Sequence, residues 1–311
     1  MFVVVRNTKS ASNNLDYKLR RGDIIKLGRI KFNVKDYKSH FGRPSERRDD
    51  CEDDGHNHDA LERSYCSTNQ EFAEEAVEID CGVVDTSSGK DIQCKVCWDK
   101  DSSEENPLLN SCQCDGSVRY IHYNCLKTWL KQKMAKKEEK NLISYTWKQF
   151  ECEICKKPYP YVFKSNGQSY RLIDVEQDIP ENRNYIMLES LTFEKNSSRM
   201  VHLIMPENDK KVFKMGRGHE SDVRVSDISV SRCHALIKFN SETGRFYLED
   251  NLSKFGTLVL ANGAIELQPE MTKAVQIGRS VISFTVKPQV QPVQQPPEPQ
   301  SIPAAFKTPS P

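Results

Sequence analysis

Apolar and polar positions alternate with a period of two along much of this chain. Ile30-Lys31-Phe32-Asn33-Val34 alternates as a half-buried strand does, and Phe2-Val3-Val4-Val5 is a short β-branched run of the same kind. Leu19-Arg20-Arg21-Gly22-Asp23 reads as a turn leading into Ile24-Ile25-Lys26-Leu27-Gly28-Arg29. Between 183 and 288 come Ile186-Met187-Leu188, Val201-His202-Leu203-Ile204, Val212-Phe213-Lys214-Met215, Ala235 to Phe239, Phe246-Tyr247-Leu248, Thr257 to Leu260, Ala274 to Ile277 and Ile282 to Val286, each bounded by turn residues. Many short strands at this spacing predict a β-sandwich. One stretch has a different period. Leu126, Trp129, Leu130 and Met134 fall at helical spacing, which predicts a helix starting near Asn124 as N-cap. Its other face carries Lys127, Lys131, Lys133, Lys136 and Lys137, which either bind phosphate or an acidic partner or are simply solvated.

Composition divides the chain. Residues 38 to 91 are acidic and poor in large apolar side chains, from Asp49, Asp50, Glu52, Asp53 and Asp54 to Glu71, Glu74, Glu75 and Glu78. This predicts a disordered linker with at most a short helix near Glu71–Ile79; His56 and His58 within it read as a solvated polar tract. Residues 289 to 311 are rich in Pro and Gln and predict a disordered tail. Residues 161 to 182 read as a connector with a turn at Asn166-Gly167. A length of 311 residues suits two domains, and a formal net charge of +1 points to neither a nucleic acid nor a membrane partner. No apolar run has transmembrane length and the N-terminus lacks a signal-peptide pattern, so a soluble cytoplasmic or nuclear protein is expected.

The chemistry lies between Cys94 and Cys155. The order is C-x2-C (Cys94, Cys97), C-x-C (Cys112, Cys114), H-x2-C (His122, Cys125) and C-x2-C (Cys152, Cys155). A short knuckle aims two sulfurs at one metal. Eight soft or borderline donors in four pairs suffice for two tetrahedral zinc ions. A single C-x2-C would read equally as a redox pair. Four pairs in order point to two Zn ions, in a reducing compartment that keeps thiolates available. Cys51, Cys66, Cys81 and Cys233 lie outside the pattern.

This order and spacing resemble the RING-CH (RING-variant) finger of ubiquitin ligases, including the short C-x-C pair, the seven-residue gap before His122 and the His-x2-Cys-Leu-x2-Trp-Leu run. The interval of twenty-six residues before Cys152 is slightly long for that family. The resemblance implies a cross-brace: Cys94, Cys97, His122 and Cys125 hold one ion, and Cys112, Cys114, Cys152 and Cys155 the other. It also implies a ubiquitin-conjugating enzyme as partner, docked on Val96 and Trp129, with catalysis by orientation of its thioester and no covalent intermediate on this chain. The alternative for Trp129 is simple core packing. Lys156 stands where related fingers place a basic residue against ubiquitin. A PHD finger shares the ligand order but carries Trp two residues before the seventh ligand, where Phe150 stands here.

The sandwich segment resembles the forkhead-associated (FHA) domain. The match runs through Met215-Gly216-Arg217, Ser221-Asp222-Val223 with Val225, Val230-Ser231-Arg232-Cys233-His234-Ala235, Leu248-Glu249-Asp250 and Ser253-Lys254-Phe255-Gly256-Thr257. Such domains bind phosphothreonine peptides through loops at one end. The resemblance implies that Arg217 and Ser231 hold the phosphate, that Arg232 faces the peptide or phosphate, and that His234 braces the loops; Lys254 departs from the family, standing where Ser or Thr is usual and offering the phosphate a charged contact in place of a neutral one. A guanidinium and a hydroxyl suit phosphate oxygens. Phe255 replaces the usual Asn that holds the peptide backbone, which bears on affinity and selectivity.

The stretch Asp23–Val34 echoes Lys273–Val286, with Ile25-Lys26-Leu27-Gly28-Arg29 against Val275-Gln276-Ile277-Gly278-Arg279, and Phe32-x-Val34 against Phe284-x-Val286 with two residues fewer between. Residues 1–37 therefore resemble the closing strands of an FHA sandwich, truncated or docked elsewhere. The expected architecture is multidomain: a small zinc-stabilised α+β cross-brace finger at 92–160 and an all-β FHA-type sandwich at 183–288. The expected function is a RING-type ubiquitin ligase for phosphothreonine-containing partners. The alternative is a non-catalytic phosphopeptide-binding adaptor with a structural zinc finger.

Overall fold

In this computed structural model the described residues are 1–5, 17–39, 77–78, 92–165, 168–191, 198–262, 265, 267 and 272–287. The predicted linker beyond residue 39 (except the pair 77–78), His56, His58, the Asn166-Gly167 turn and the 289–311 tail lie outside them. Two expectations are corrected: Lys38 still belongs to a strand, and Val77–Glu78, where a short helix was expected, is extended and paired with Phe163–Lys164. The first strands are β1 (Phe2–Val5), β2 (Tyr17–Lys18), β3 (Ile24–Leu27), β4 (Ile30–Lys38) and β5 (Val77–Glu78). The cysteine-rich region holds β6 (Leu108–Leu109), β7 (Ile121–His122), helix α1 (Tyr123–Gln132), β8 (Ala135–Glu139) and β9 (Leu142–Trp147). β10 (Val162–Ser165) and β11 (Gln168–Arg171) follow. The remaining strands are β12 (Tyr185–Leu191), β13 (Arg199–Ile204), β14 (Val212–Gly216), β15 (Val223–Arg224), β16 (Ala235–Asn240), β17 (Arg245–Asp250), β18 (Thr257–Leu260), β19 (Thr272–Ile277) and β20 (Ser280–Thr285).

A ten-stranded sheet, in the order β20-β19-β1-β18-β3-β4-β12-β13-β9-β8, packs on a five-stranded sheet, β15-β14-β16-β17-β2. The N-terminal strands are part of this sandwich. β3 pairs with β18, β4 pairs with β12 along its length, and β2 joins the edge of the smaller sheet against β17. Ile25, Leu27, Phe32 and Val34 are fully buried in one core with Phe213, Ile237, Phe246 and Leu248. Thirty-odd residues are too few to bury a core of their own, and this shared core supplies what they lack.

The larger sheet is covered on both faces where β12, β13 and β9 lie. Ile186, Leu188, Ile204 and Leu142 face the sandwich interior. Met187, Tyr185, Val201, Leu203, Ile143, Tyr145 and Trp147 face the other way, into a second core shared with Leu108, Leu126, Leu130, Phe150 and Phe163 of the cysteine-rich region and its connector. This explains why Tyr185-Ile186-Met187-Leu188 is apolar without alternation: both faces are buried.

The long interval before Cys152 is occupied by α1 and the β8–β9 hairpin, whose second strand pairs with β13 from Leu142↔Ile204 to Trp147↔Arg199. The hairpin joins the cysteine-rich module to the sandwich sheet. β10–β11 adds to the joint: Tyr123 donates to the Arg171 carbonyl at 2.6 Å, and Tyr170 packs edge-on to Tyr123.

The helix departs from expectation at both ends. It starts at Tyr123 with His122 in the cap position, and it stops at Gln132, where Lys133 caps it. Met134 therefore lies beyond the helix, and Lys136 and Lys137 fall on β8 rather than on a basic helical face. Residues 136–139 are helix formers by propensity, but antiparallel pairing with β9 outweighs a preference of this size. Lys136 is paired to Asp178 and Glu138, Lys127 to Asp174, and Lys133 to Glu153.

Asp23, buried at the start of β3, accepts a hydrogen bond from the Arg20 amide at 2.8 Å. Burial nonetheless pushes its pKa up to about 6. Between pH ~4 and ~6 the folded chain then keeps a proton that the unfolded chain has lost, so stability falls as pH rises through this window. Asp23→Asn is expected to remove that slope and to raise stability at pH 7 by roughly 2 kcal/mol, read from urea midpoints at pH 4 and pH 7. Equal slopes in both proteins would contradict it.

Candidate functional site

The eight predicted ligands form two groups. Cys94, Cys97, His122 and Cys125 form one, and Cys112, Cys114, Cys152 and Cys155 the other; within each, the donor atoms lie within 4.8 Å of one another. Cys97 Sγ is 3.1 Å from His122 Nδ1, and Cys114 Sγ is 3.6 Å from Cys152 Sγ. Donors bound to one tetrahedral zinc at about 2.0–2.3 Å stand roughly 3.3–3.8 Å apart, so these groups have the right size as well as the right chemistry.

Local backbone geometry explains the donors' aim. In the first knuckle the Cys94 carbonyl accepts from the Trp98 amide at 2.9 Å, and the Cys94 amide donates to the Asp99 carbonyl at 2.9 Å. In the last, the Cys152 carbonyl accepts from the Lys156 amide and the Cys152 amide donates to the Lys157 carbonyl, both at 2.9 Å. Trp98 and Lys156 each adopt a positive φ, +65° and +59°. The two turns are thus the same device, each closing with a left-handed residue just after its second cysteine. His122 donates from Nε2 to the Asp101 carbonyl at 2.6 Å, which leaves the Nδ1 lone pair facing the thiols.

Burial raises the cost of a thiolate at each buried sulfur, and the backbone answers it unevenly. At Cys94 the amides of Cys97, His122 and Val96 outweigh burial and bring the thiol down to about 7. At Cys152 the amides of Cys155 and Ile154 and the Tyr159 hydroxyl bring it down to about 6. Burial and neighbouring thiols push Cys114 and Cys125 up to about 12. Thiolates this close repel one another, and a dication removes that cost.

Val96, Trp98 and Ile154, on the two knuckles, are exposed apolar side chains. Only Val96 of these was singled out in the sequence. Ile154 occupies the same place in the last knuckle as Val96 in the first, two residues after the leading cysteine, which was the available signal. Trp129 is half-buried, edge-on to Tyr159 with the Lys133 ammonium 4.0 Å above its ring. It serves the core and lines a surface hollow of about 530 Å³ with Phe150, Glu153 and Lys156.

The loops at one end of the sandwich carry the other candidates. Arg217 follows β14; its amide donates to the Ser231 carbonyl at 3.1 Å, and Gly218 donates to the Arg232 carbonyl at 2.9 Å. A Cβ at Gly216 would stand 2.1 Å from the Arg232 carbonyl oxygen, so only glycine permits this approach. Ser231 Oγ accepts from the Lys254 amide at 3.1 Å. His234 is fully buried, accepts from the Ser231 amide at Nδ1 and donates from Nε2 to the Gly256 carbonyl. Burial keeps its pKa low, which suits a neutral brace. Buried Asp250 accepts from the Ser253 and Thr257 hydroxyls at 2.5 and 2.7 Å and holds the third loop. Arg217, Arg232 and Lys254 are exposed on these loops, and Phe255 is exposed beside Lys254, whose ammonium lies 5.4 Å from its ring. The backbones of the loops carrying Arg217 and Lys254 thus both bond to Ser231, and the loops hold three exposed cations, a chemistry suited to an anion.

A family model described as the RING-variant domain matches residues 94–155, from the first ligand to the last, and the FHA domain model matches residues 213–279. The Homo sapiens protein named Probable E3 ubiquitin-protein ligase MARCHF10 is 36% identical over 63 residues, 20% of this chain and 7% of that protein. The Saccharomyces cerevisiae ERAD-associated E3 ubiquitin-protein ligase DOA10 is 31% identical over 88 residues, 28% of this chain and 6% of that protein. The Pongo abelii E3 ubiquitin-protein ligase MARCHF7 is 26% identical over 141 residues, 45% of this chain and 18% of that protein. The chain spans less than a fifth of the length of each of these relatives. The chain carries a RING-variant (RING-CH) finger together with an FHA domain. Among the described residues no helix is long and apolar enough to cross a membrane.

Proposed function

We propose that this chain is a RING-type ubiquitin ligase. The observation that carries the reading is the pair of interleaved four-donor clusters, each with an exposed apolar residue at the tip of a knuckle beside it. Two zinc ions held by Cys94, Cys97, His122 and Cys125 and by Cys112, Cys114, Cys152 and Cys155 supply folding energy, and closed sets of four donors leave no open position for catalysis. Val96 and Ile154, with Trp98 and the accessible part of Trp129, form the docking surface for a ubiquitin-conjugating enzyme. Catalysis is by orientation of the bound thioester.

The FHA loops select a phosphothreonine-containing partner in this reading, with Arg217 and Ser231 on the phosphate and Arg232 and Lys254 beside it. The β8–β9 hairpin supports the joint function: it fixes the finger to the sandwich through β13, so partner and conjugating enzyme are held on one rigid frame. The chain works in the cytoplasm or nucleus.

Autoubiquitination by the zinc-loaded chain across a panel of conjugating enzymes tests the finger. Val96→Ala is expected to lower the rate about tenfold or more with zinc content unchanged, as removal of an interface anchor does. A chain that holds its zinc and is inactive with every conjugating enzyme would instead be an adaptor. Arg217→Ala is expected to weaken phosphothreonine-peptide binding by roughly tenfold to a hundredfold and to leave autoubiquitination intact. Calorimetry with paired phosphorylated and unphosphorylated peptides reads this directly, and equal affinity for both peptides would end the phosphate assignment.

A further inference from the structure

The chain carries two hairpins of one design. β3–β4 and β19–β20 each turn through Gly-Arg, with the glycine at φ +58° and +60°. Their registers coincide without a gap. Ile24↔Asn33, Ile25↔Phe32, Lys26↔Lys31 and Leu27↔Ile30 in the first correspond to Ala274↔Ser283, Val275↔Ile282, Gln276↔Val281 and Ile277↔Ser280 in the second. Phe32 thus corresponds to Ile282 and Val34 to Phe284. The two-residue offset suggested by the sequence echo disappears once the strands are paired.

Their surroundings differ. In the first hairpin Ile25, Leu27, Phe32 and Val34 are all 0% exposed. In the second, Val275 is buried, but Ile277, Ile282 and Phe284 are 52%, 43% and 44% exposed. Among the described residues β20 is one of the two edge strands of the large sheet, an apolar edge of the kind that proteins ordinarily blunt with charge. All four core positions stay apolar in a place that buries one of them.

Strand direction adds an independent argument. β18 pairs antiparallel with β1, and β1 pairs antiparallel with β19, so β18 and β19 run the same way. The chain leaves β18 at one end of the sheet and enters β19 at the other. Antiparallel beside β18, in the place of β3, Ala274 would stand at the end where β18 finishes, and eleven residues separate Leu260 from Thr272. Such a reversal is the simpler connection. The FHA model also matches continuously from 213 to 279, through β18 and the whole of β19.

We propose that the gap between β18 and β12 accepts either hairpin of this chain, and that β19–β20 closes the sandwich when β3–β4 leaves it. The turn residues fit the exchange. In the present arrangement the Arg29 guanidinium pairs with Asp227 at 3.1 Å and its amide donates to Ser229 Oγ at 2.9 Å, while a Cβ at Gly28 would stand 2.3 Å from that oxygen. Gly278 and Arg279 bring the same pair of residues, although among the described residues nothing lies within 4 Å of a Cβ at Gly278 where it now stands. Asp227 sits on the loop that leads to Ser231 and Arg232, so the hairpin in the gap is also the one that braces that loop. The inference does not depend on ligase activity.

Hydrogen exchange of the full-length, zinc-loaded chain, read by mass spectrometry, tests the exchange. Leu27→Asp expels the first hairpin; protection is expected to fall at 24–38, rise tenfold or more at 272–285, and persist in β18 and β12 with the mass still that of one chain. Ile277→Asp alone is expected to leave the pattern unchanged, and the double variant to lose protection in β18 and β12. Loss of protection in β18 and β12 in Leu27→Asp with no gain at 272–285 would overturn the proposal, as would a folded variant with no gain there. A gain accompanied by doubled mass would show the gap filled by a second copy and would overturn exchange within one chain. Leu27→Ala keeps the test readable if the aspartate blocks folding: a fall at 24–38 must be matched by a rise at 272–285, and a fall without that rise refutes the idea.

Discussion

Cys152→Ser is expected to reduce bound zinc from two ions per chain to one or fewer and to abolish any conjugating activity. Cys152 is buried, its sulfur 3.6 Å from that of Cys114, and backbone amides hold it close to the thiolate state. Serine retains the size but offers a hard, protonated oxygen that zinc binds poorly. Structural zinc contributes about 10–16 kcal/mol to small zinc modules at neutral pH, far more than the apolar core of a module this size supplies. The clusters are interleaved, so losing the second ion frees the chain on both sides of His122 and Cys125 and weakens the first. Elemental analysis for zinc, together with thermal melting, checks the result. Two ions retained in the variant would mean that Cys152 is not a ligand. The sandwich core around Phe213 and Phe246 is a separate cluster and is expected to remain folded.

Leu203→Asp is expected to cost at least ~4 kcal/mol and to separate the finger from the sandwich. Leu203 lies on β13 between Met187 and Ile143 and points into the core shared with α1 and the connector. A carboxylate there would be buried without a cation or donors, which costs several kcal/mol even after its pKa rises. Leu203→Ala, which removes only packing, should cost about 2–5 kcal/mol. Urea midpoints give the energies, and limited proteolysis around residues 198 and 148 reports separation. Zinc content should stay at two, because no ligand is touched. Unchanged midpoints would mean that the outer face of β13 is not a packed interface, and the rigid-frame argument for joint function would fall with it.

How much of this was legible in the sequence depends on the range of the interactions involved. The zinc ligands were readable because a metal needs a fixed number of donors at short spacing, and Cys94-x2-Cys97 or His122-x2-Cys125 records that need locally. The FHA loops were readable for a similar reason: Gly216 must lie against Arg232, and His234 must lie beneath Ser231. Ile154 was missed although it repeats the position of Val96, since an exposed isoleucine in a polar knuckle has no periodic pattern around it. The strand at Ile30–Val34 was clear from alternation. Its neighbours were not, because β4 reaches β12 only across more than a hundred residues of intervening chain.

The same distinction accounts for what remained undecided. Alternation sets which strands form and which side chains share a face, and ligand spacing sets where two zinc ions go; both are local consequences of backbone geometry. Partner choice between strands is not local. Two hairpins with the same apolar positions and the same Gly-Arg turn cannot be ranked by their own residues, and only packing against Phe213, Phe246 and Leu248 places Ile25 and Leu27 inside and Ile277 outside. Lys136 and Lys137 make the converse case: their helical preference is worth tenths of a kcal/mol and yields to pairing with β9. The second face of β12 and β13 likewise had no meaning until the finger covered it. Burial is a property of the assembled layers, and its free energy, summed over many side chains, exceeds any preference that a single segment carries.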